Sequence, residues 1–194
     1  MTKPAMRSAA ELLEATATGK NKTRVAALAA LTKADPTVAE RVALLWLAPS
    51  AIGDPRSFAL VTGAVVAAGE LGTRACLDRL ARIALDGLPE YGAFHSRAAL
   101  AATKGPEAAT AIAAALTDDA FRDDVACAVR VMNILVDRGE VGDRERVAAI
   151  ARDAPRLGRG RDLTPEMQAH WAQAIAVAAE QLLRLPATSV TVGA

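Results

Sequence analysis

Large aromatic side chains are scarce in this sequence: its 194 residues include two tryptophans, one tyrosine and three phenylalanines, although 52% of the chain is hydrophobic. A core built around stacked rings is excluded, and the apolar content falls to alanine, leucine and valine. Alanine combines the highest helix propensity with a very small side chain, so this content favours helices packed closely together. Cysteine is limited to Cys76 and Cys127, far apart and without a CxxC pair, which reads as two small buried hydrophobes and not as a metal or redox site. An excess of one charge is also missing. The 23 basic residues stand against 22 acidic ones for a net charge of +1, whereas a dedicated nucleic-acid binder carries a stronger basic excess. Uninterrupted apolar runs reach only about half of the ~20 residues that a membrane span needs. Arg7, Ser8, Glu11 and Glu14 break up the N-terminal stretch. No signal peptide and no membrane segment are expected, and the chain reads as soluble and cytoplasmic.

What is present is helical periodicity. Apolar residues recur at spacings of three and four, hardly any stretch alternates with period two, and the class expected is all-α. Met6, Ala9, Leu13 and Ala17 form one stripe, Val25, Leu28 and Leu31 a second, and Val38, Val42, Leu45 and Trp46 a third. Gly19 closes the first helix, and Asp35-Pro36 opens the third, with Asp35 as the cap and Pro36 in the first turn. A loop follows from Pro49 to Pro55. Further helices are predicted at about 56–70, 73–86, 92–103, 106–117, 119–137, 143–153 and 165–185.

Some of these helices repeat as pairs. Gly72, Gly105 and Gly142 stand between the members of a pair, 33 and 37 residues apart. In each second helix an aliphatic residue precedes an aspartate by six positions: Leu80 and Asp86, Ile112 and Asp118, Val147 and Asp153. Such a period is the signature of stacked helical hairpins, each too small to bury its apolar face alone.

The stretches DPRSFALVTGAVVAAGELGTRACLDRLARIALDG, HSRAALAATKGPEAATAIAAALTDD and DDVACAVRVMNILVDRGEVGDRERVAAIARDAP resemble HEAT repeats of the short, alanine-rich bacterial kind. Each has an alanine-rich first helix, a glycine-containing turn and an aspartate near the end of the second helix. DPTVAERVALLW resembles the opening of another such repeat. The resemblance implies a right-handed solenoid-like stack of antiparallel helix pairs, of HEAT or armadillo type, with nine to ten helices. It places a single domain at 1–185, with the clearest repeats at 54–154, a capping helix at 164–185 and a flexible tail at 186–194. Tyr91, Phe94 and His95 depart from the plainer composition usual in a first helix. A bacterial, GC-rich source also fits a chain with 18 arginines and five lysines.

Residues able to carry chemistry are few. His95 opens a helix, and His170 lies four residues after Glu166 on one helical face, which reads as a surface pair. No HExxH, GxSxG or nucleotide-binding glycine signature occurs. Asp118, Asp119, Asp123 and Asp124 lack the spacing of a calcium loop and read as helix-terminal acids. No catalytic residue, metal ligand or cofactor is therefore assigned.

Two surfaces remain. The segment APRLGRGRD belongs to a run of six arginines, Arg144 to Arg161, with only Glu145 and Asp153 against them. Arg152, Arg156, Arg159 and Arg161 are its candidates for partner or anion contact, since guanidinium forks hold phosphate and carboxylate. On the last helix Trp171, Ile175 and Leu182 belong to a clean apolar stripe, read first as the seal of the core and alternatively as the face that receives a partner or a second copy. The leading functional reading is a non-enzymatic binding module or scaffold for protein–protein interaction, using its concave or end surface. The alternative is nucleic-acid binding through a basic surface, including a fold-level resemblance to HEAT-like alkylpurine DNA glycosylases, for which no motif carries over.

Overall fold

The structure, a computed structural model, describes residues 7–52, 54–85, 90–103, 105–159 and 162–186. Asp86, Arg161, the side chain of Tyr91 and the tail from 187 onward lie outside the described residues. Twelve α-helices run through the described residues, more than the nine to ten expected, with no strand among them. They are α1 (Ala9–Ala17), α2 (Asn21–Ala34), α3 (Pro36–Trp46), α4 (Pro49–Ile52), α5 (Phe58–Leu71), α6 (Arg74–Leu85), α7 (Glu90–Ala102), α8 (Pro106–Ala115), α9 (Asp118–Asp123), α10 (Val125–Arg138), α11 (Arg144–Leu157) and α12 (Pro165–Arg184); a 3-10 turn, Pro55–Ser57, precedes α5.

Local chemistry sets most boundaries. Ser8 and Glu11 form a reciprocal capping box on α1, satisfying amides that have no partner within the helix. Asp35 accepts from the amide of Val38 at 3.1 Å with Pro36 in the first turn of α3, and Thr164 does the same for Met167 at 3.3 Å ahead of Pro165. Gly72, Gly105 and Gly142 all take positive φ, the backbone state that glycine adopts without a Cβ penalty. The three glycines therefore stand in turns between successive helices, where the spacing put them.

Four details differ from the sequence reading. The helix expected over 119–137 is two, because Asp124 leaves helical geometry and its carboxylate accepts from the amide of Cys127 at 2.9 Å, offering the backbone a cap in place of a continuing turn. The loop from Pro49 contains α4. The helix expected to stop at Asp153 runs to Leu157, with Pro155 on its exposed side within the last turns and Gly158 donating to the carbonyl of Ala154. Leu45 is exposed, and Ala39, Val42, Ala43, Trp46 and Leu47 are the buried residues at that end of α3 and just after it.

The contacts between helices run in two successions. Helices α2, α5, α7, α10 and α12 touch in that order, and so do α3, α6, α8 and α11. Members of one succession also lie against members of the other: α3 on α5, α6 on α7, α8 on α10 and α11 on α12. One continuous buried cluster extends from Leu12 to Leu182. It is made mostly of Ala, Leu, Val and Ile, as the shortage of rings requires.

Candidate functional site

Arginine is the residue type with the most available chemistry here, and the fold engages much of it. The last carbonyls of a helix lack partners within the helix and carry the negative end of its dipole. Arg79 on α6 donates through Nε to the carbonyl of Leu47, the C-cap of α3, at 2.7 Å. Arg146 on α11 does the same to Leu116, the C-cap of α8, at 2.9 Å. In both cases a helix grips the end of its neighbour within the same succession. Arg97 donates to the carbonyl of Ala84 at 3.0 Å, and Arg144 to that of Leu183 at 2.7 Å. Arg138, its side chain buried, binds the carbonyls of Leu100 and Gly105 at 2.8 Å each, that of Thr103, and the carboxylate of Glu140.

The arginine run of 144–161 divides accordingly. Arg156 bonds Asp118 and Asp153 at 2.9 Å each, and Arg146 reaches Asp118 at 3.4 Å. Hydrogen bonding from Arg156, followed by the nearby positive charges, holds the Asp118 carboxyl below the usual aspartate range. The bonds to Asp153 and Asp118 raise the already high Arg156. Arg152 and Arg159 are exposed, and Arg161 lies outside the described residues. The glycine of this segment has a packing reason: a Cβ on Gly158 would stand 2.5 Å from the backbone nitrogen of Ala172. Its absence lets the end of α11 approach α12.

The apolar stripe of α12 is mostly inside. Ile175 and Leu182 are fully buried, as are Ala178 and Ala179 nearly so. This burial corrects the alternative reading of Ile175 and Leu182 as partner-facing and agrees with their first reading as part of the core; α12 packs against α11 and α10. Trp171 is half-buried against the core and meets the ring of His170 edge-on at 5.0 Å. No hydrogen bond joins Glu166 to His170 among the described residues, and no group of three His, Cys, Asp or Glu able to hold a metal occurs among them.

An open groove lies between α5 and α7. Its volume is about 660 Å³, and Val65, Val66, Gly69, Glu70, His95 and Ala98 are among the residues that line it. Phe58, Thr62, Val66 and Glu70 follow one another at intervals of four along α5, so they share one face of the helix. Val66 is 54% exposed and Phe58 44%, while Phe94 on α7 is 61% exposed. His95 stands edge-on to both rings, 6.2 Å from Phe58 and 5.5 Å from Phe94. Toward the C-terminal ends of the two helices the floor is small: a Cβ on Gly69 would lie 3.3 Å from that of Ala99. Thr103, which closes this end, bonds the carbonyl of Ala99 at 2.8 Å and has its own carbonyl held by Arg138. Glu70 is exposed here and takes part in no ion pair among the described residues.

Phe94 and His95 are legible in the sequence as departures from a plain repeat. Val66 and Glu70 are not, because FALVTGAVVAAGEL is apolar on nearly every side. No helix of the described residues is long and apolar enough to cross a membrane, so the exposed apolar face is not that of a span. No family model, no curated protein and no solved structure matches the chain.

Proposed function

We propose that this chain is a non-enzymatic binding module of the HEAT-like helical-repeat kind, which recognises a protein partner. The α5–α7 groove is the observation that carries the reading. Large apolar side chains on a surface cost free energy in water, and a cluster of them rimmed by polar groups marks an interaction site. Val66 and His95 line the groove, and the exposed rings of Phe58 and Phe94 stand edge-on to that same His95, in a chain with only three phenylalanines. Support for the repeat reading comes from the two ordered helix successions and from the positive-φ glycines at the repeat period. The equivalent grips of Arg79 on Leu47 and Arg146 on Leu116 add to it.

The reading is tested by comparing the wild type with a Val66→Glu/Phe94→Ala double variant as immobilised baits for proteins of the source organism. Both substitutions are at exposed positions, so the melting temperature should stay within a few degrees. A binding module loses at least one specific partner with the double variant. Retention of the same partners by both baits would refute the groove as the site.

A further inference from the structure

The walls of the α5–α7 groove restrict what can bind in it. Both walls are helices, whose backbone amides and carbonyls are already bonded internally. The polar side chains available are His95, Glu70 and Thr103. A segment laid here in extended form would bury its backbone groups without partners, which is costly. A segment that satisfies its own backbone, an α-helix, has no such cost.

The dimensions agree. From Phe58 to Glu70 the exposed stripe of α5 covers about 18 Å at 1.5 Å per residue, which matches a partner helix of about three turns. On α7, Phe94, Ala98 and Ala102 are exposed at intervals of four and form the opposite wall. Phe94 is exposed beside the groove and not among the residues that line it, so a small molecule held inside would leave it uncovered, whereas a helix lying along α7 covers it.

The two ends of the groove are chemically unlike. One end holds Phe58, Phe94 and His95 in edge-on contact. At the other, the C-terminus of α5 carries the Glu70 carboxylate, while the carbonyls of Ala68 and Gly69 accept from the amide of Gly72 and the hydroxyl of Thr103. The carbonyls of Leu100 and Thr103 at the end of α7 and that of Gly105 accept from Arg138, and Arg74, four residues after Glu70, is paired with Asp78 at 2.8 Å. Among the described residues, the charge left unpaired at this end is the exposed carboxylate of Glu70, at the negative end of the α5 dipole.

We infer that the occupant of the α5–α7 groove is an amphipathic helix of a partner protein, with an aliphatic or aromatic anchor against Phe58, Val66 and Phe94 and a lysine or arginine beside Glu70. This inference rests on the binding-module reading and specifies its partner. It is tested with a displayed library of small helical bundles randomised on one exposed helix face, selected separately on the wild type, on Glu70→Lys and on Val66→Glu/Phe94→Ala. Thermal melts confirm that each target is folded. Selection on the wild type is expected to enrich apolar residues at spacings of three and four, with Lys or Arg at one end of the stripe. The selected binders should weaken about five- to tenfold on Glu70→Lys, where an exposed attraction becomes a repulsion, and selection on that variant should favour Asp or Glu at the same position. Enrichment without a basic preference, or affinity indifferent to Glu70→Lys, overturns the inference and leaves the groove as a binding site. Binders unaffected by Val66→Glu/Phe94→Ala overturn the binding-module reading itself. A dimer of the wild type in sedimentation that the double variant dissolves would make a second copy the occupant, and it too overturns the inference.

Discussion

Single residues show where this fold departs from full satisfaction of its groups. Ser96, on the buried side of α7, has its hydroxyl without a hydrogen-bond partner among the described residues. A buried hydroxyl left unpaired loses its hydration with no return, so Ser96→Ala should stabilise the protein by about 1 kcal/mol, aided by the better helix propensity of alanine. Urea denaturation of the two proteins measures it, and a destabilised variant would mean that the hydroxyl has a partner. Asp118 is the opposite case, a carboxylate held by two guanidinium groups. Its folded-state pKa is depressed, so its contribution to stability is present above the unfolded-state value and is lost as the pH falls through the folded one. NMR titration should place the Asp118 transition below that of an ordinary aspartate, and Arg156→Ala should move it up. A transition that stays in place would show that the pairing does not persist in solution. The thiols of Cys76 and Cys127 are pushed up, burial being the largest cause in each, in keeping with the sequence reading of both as core hydrophobes.

At the scale of the helix, the main device is the arginine that closes a neighbour's C-terminus. Arg138 satisfies the carbonyls of Leu100 and Thr103 at the end of α7, that of Gly105 ahead of α8, and one carboxylate, all from a buried position. Arg138→Ala strands those groups and should cost about 3 kcal/mol. Arg74→Ala, which removes an exposed pair four residues apart in α6, should cost only a few tenths. Chemical denaturation of both variants tests the contrast, and equal losses would discount the role assigned to Arg138. These grips were not readable from the sequence. An arginine in the run 144–161 looks the same whether it holds phosphate or a carbonyl some thirty residues away. The helices themselves were readable, because caps, prolines and glycines act within four residues of their own position. Errors at this scale have local causes too. Asp124 interrupts a helix because its side chain serves as a cap, and Pro155 is tolerated near the end of α11 because few hydrogen bonds remain there to be broken.

For the whole molecule, near-neutral charge and engaged arginines bear on the nucleic-acid alternative. Each phosphate contact contributes about −0.9 to the slope of log affinity against log salt on duplex DNA. Arg144, Arg146 and Arg156 are held within the protein, so that, with Arg161 outside the described residues, at most three arginines of this run remain for phosphate. Duplex DNA titrated at several salt concentrations should therefore bind weakly, with a slope no steeper than about −3. A slope near −5 would mean that DNA takes arginines away from their internal partners and would revive that alternative. The protein-binding reading predicts no such dependence, because its groove carries one carboxylate and little other charge.

The sequence by itself determined the helical class, the positions of most helices and the glycines that turn one helix into the next. All of these follow from interactions a few residues apart, with propensity, capping and left-handed backbone written into neighbouring positions. Only the tertiary structure decided which face of each helix is buried. In α5 nearly every position is apolar, so periodicity cannot separate Val65, which is buried, from Val66, which is exposed; the helices packed around α5 make that choice. The same physics decided between the two readings of Ile175 and Leu182, placing them in the core, and set Arg156 against Asp118. It also opened a groove at Val66, Glu70 and Phe94, residues separated by up to 28 positions in the chain, whose proximity exists only once α5 and α7 are packed.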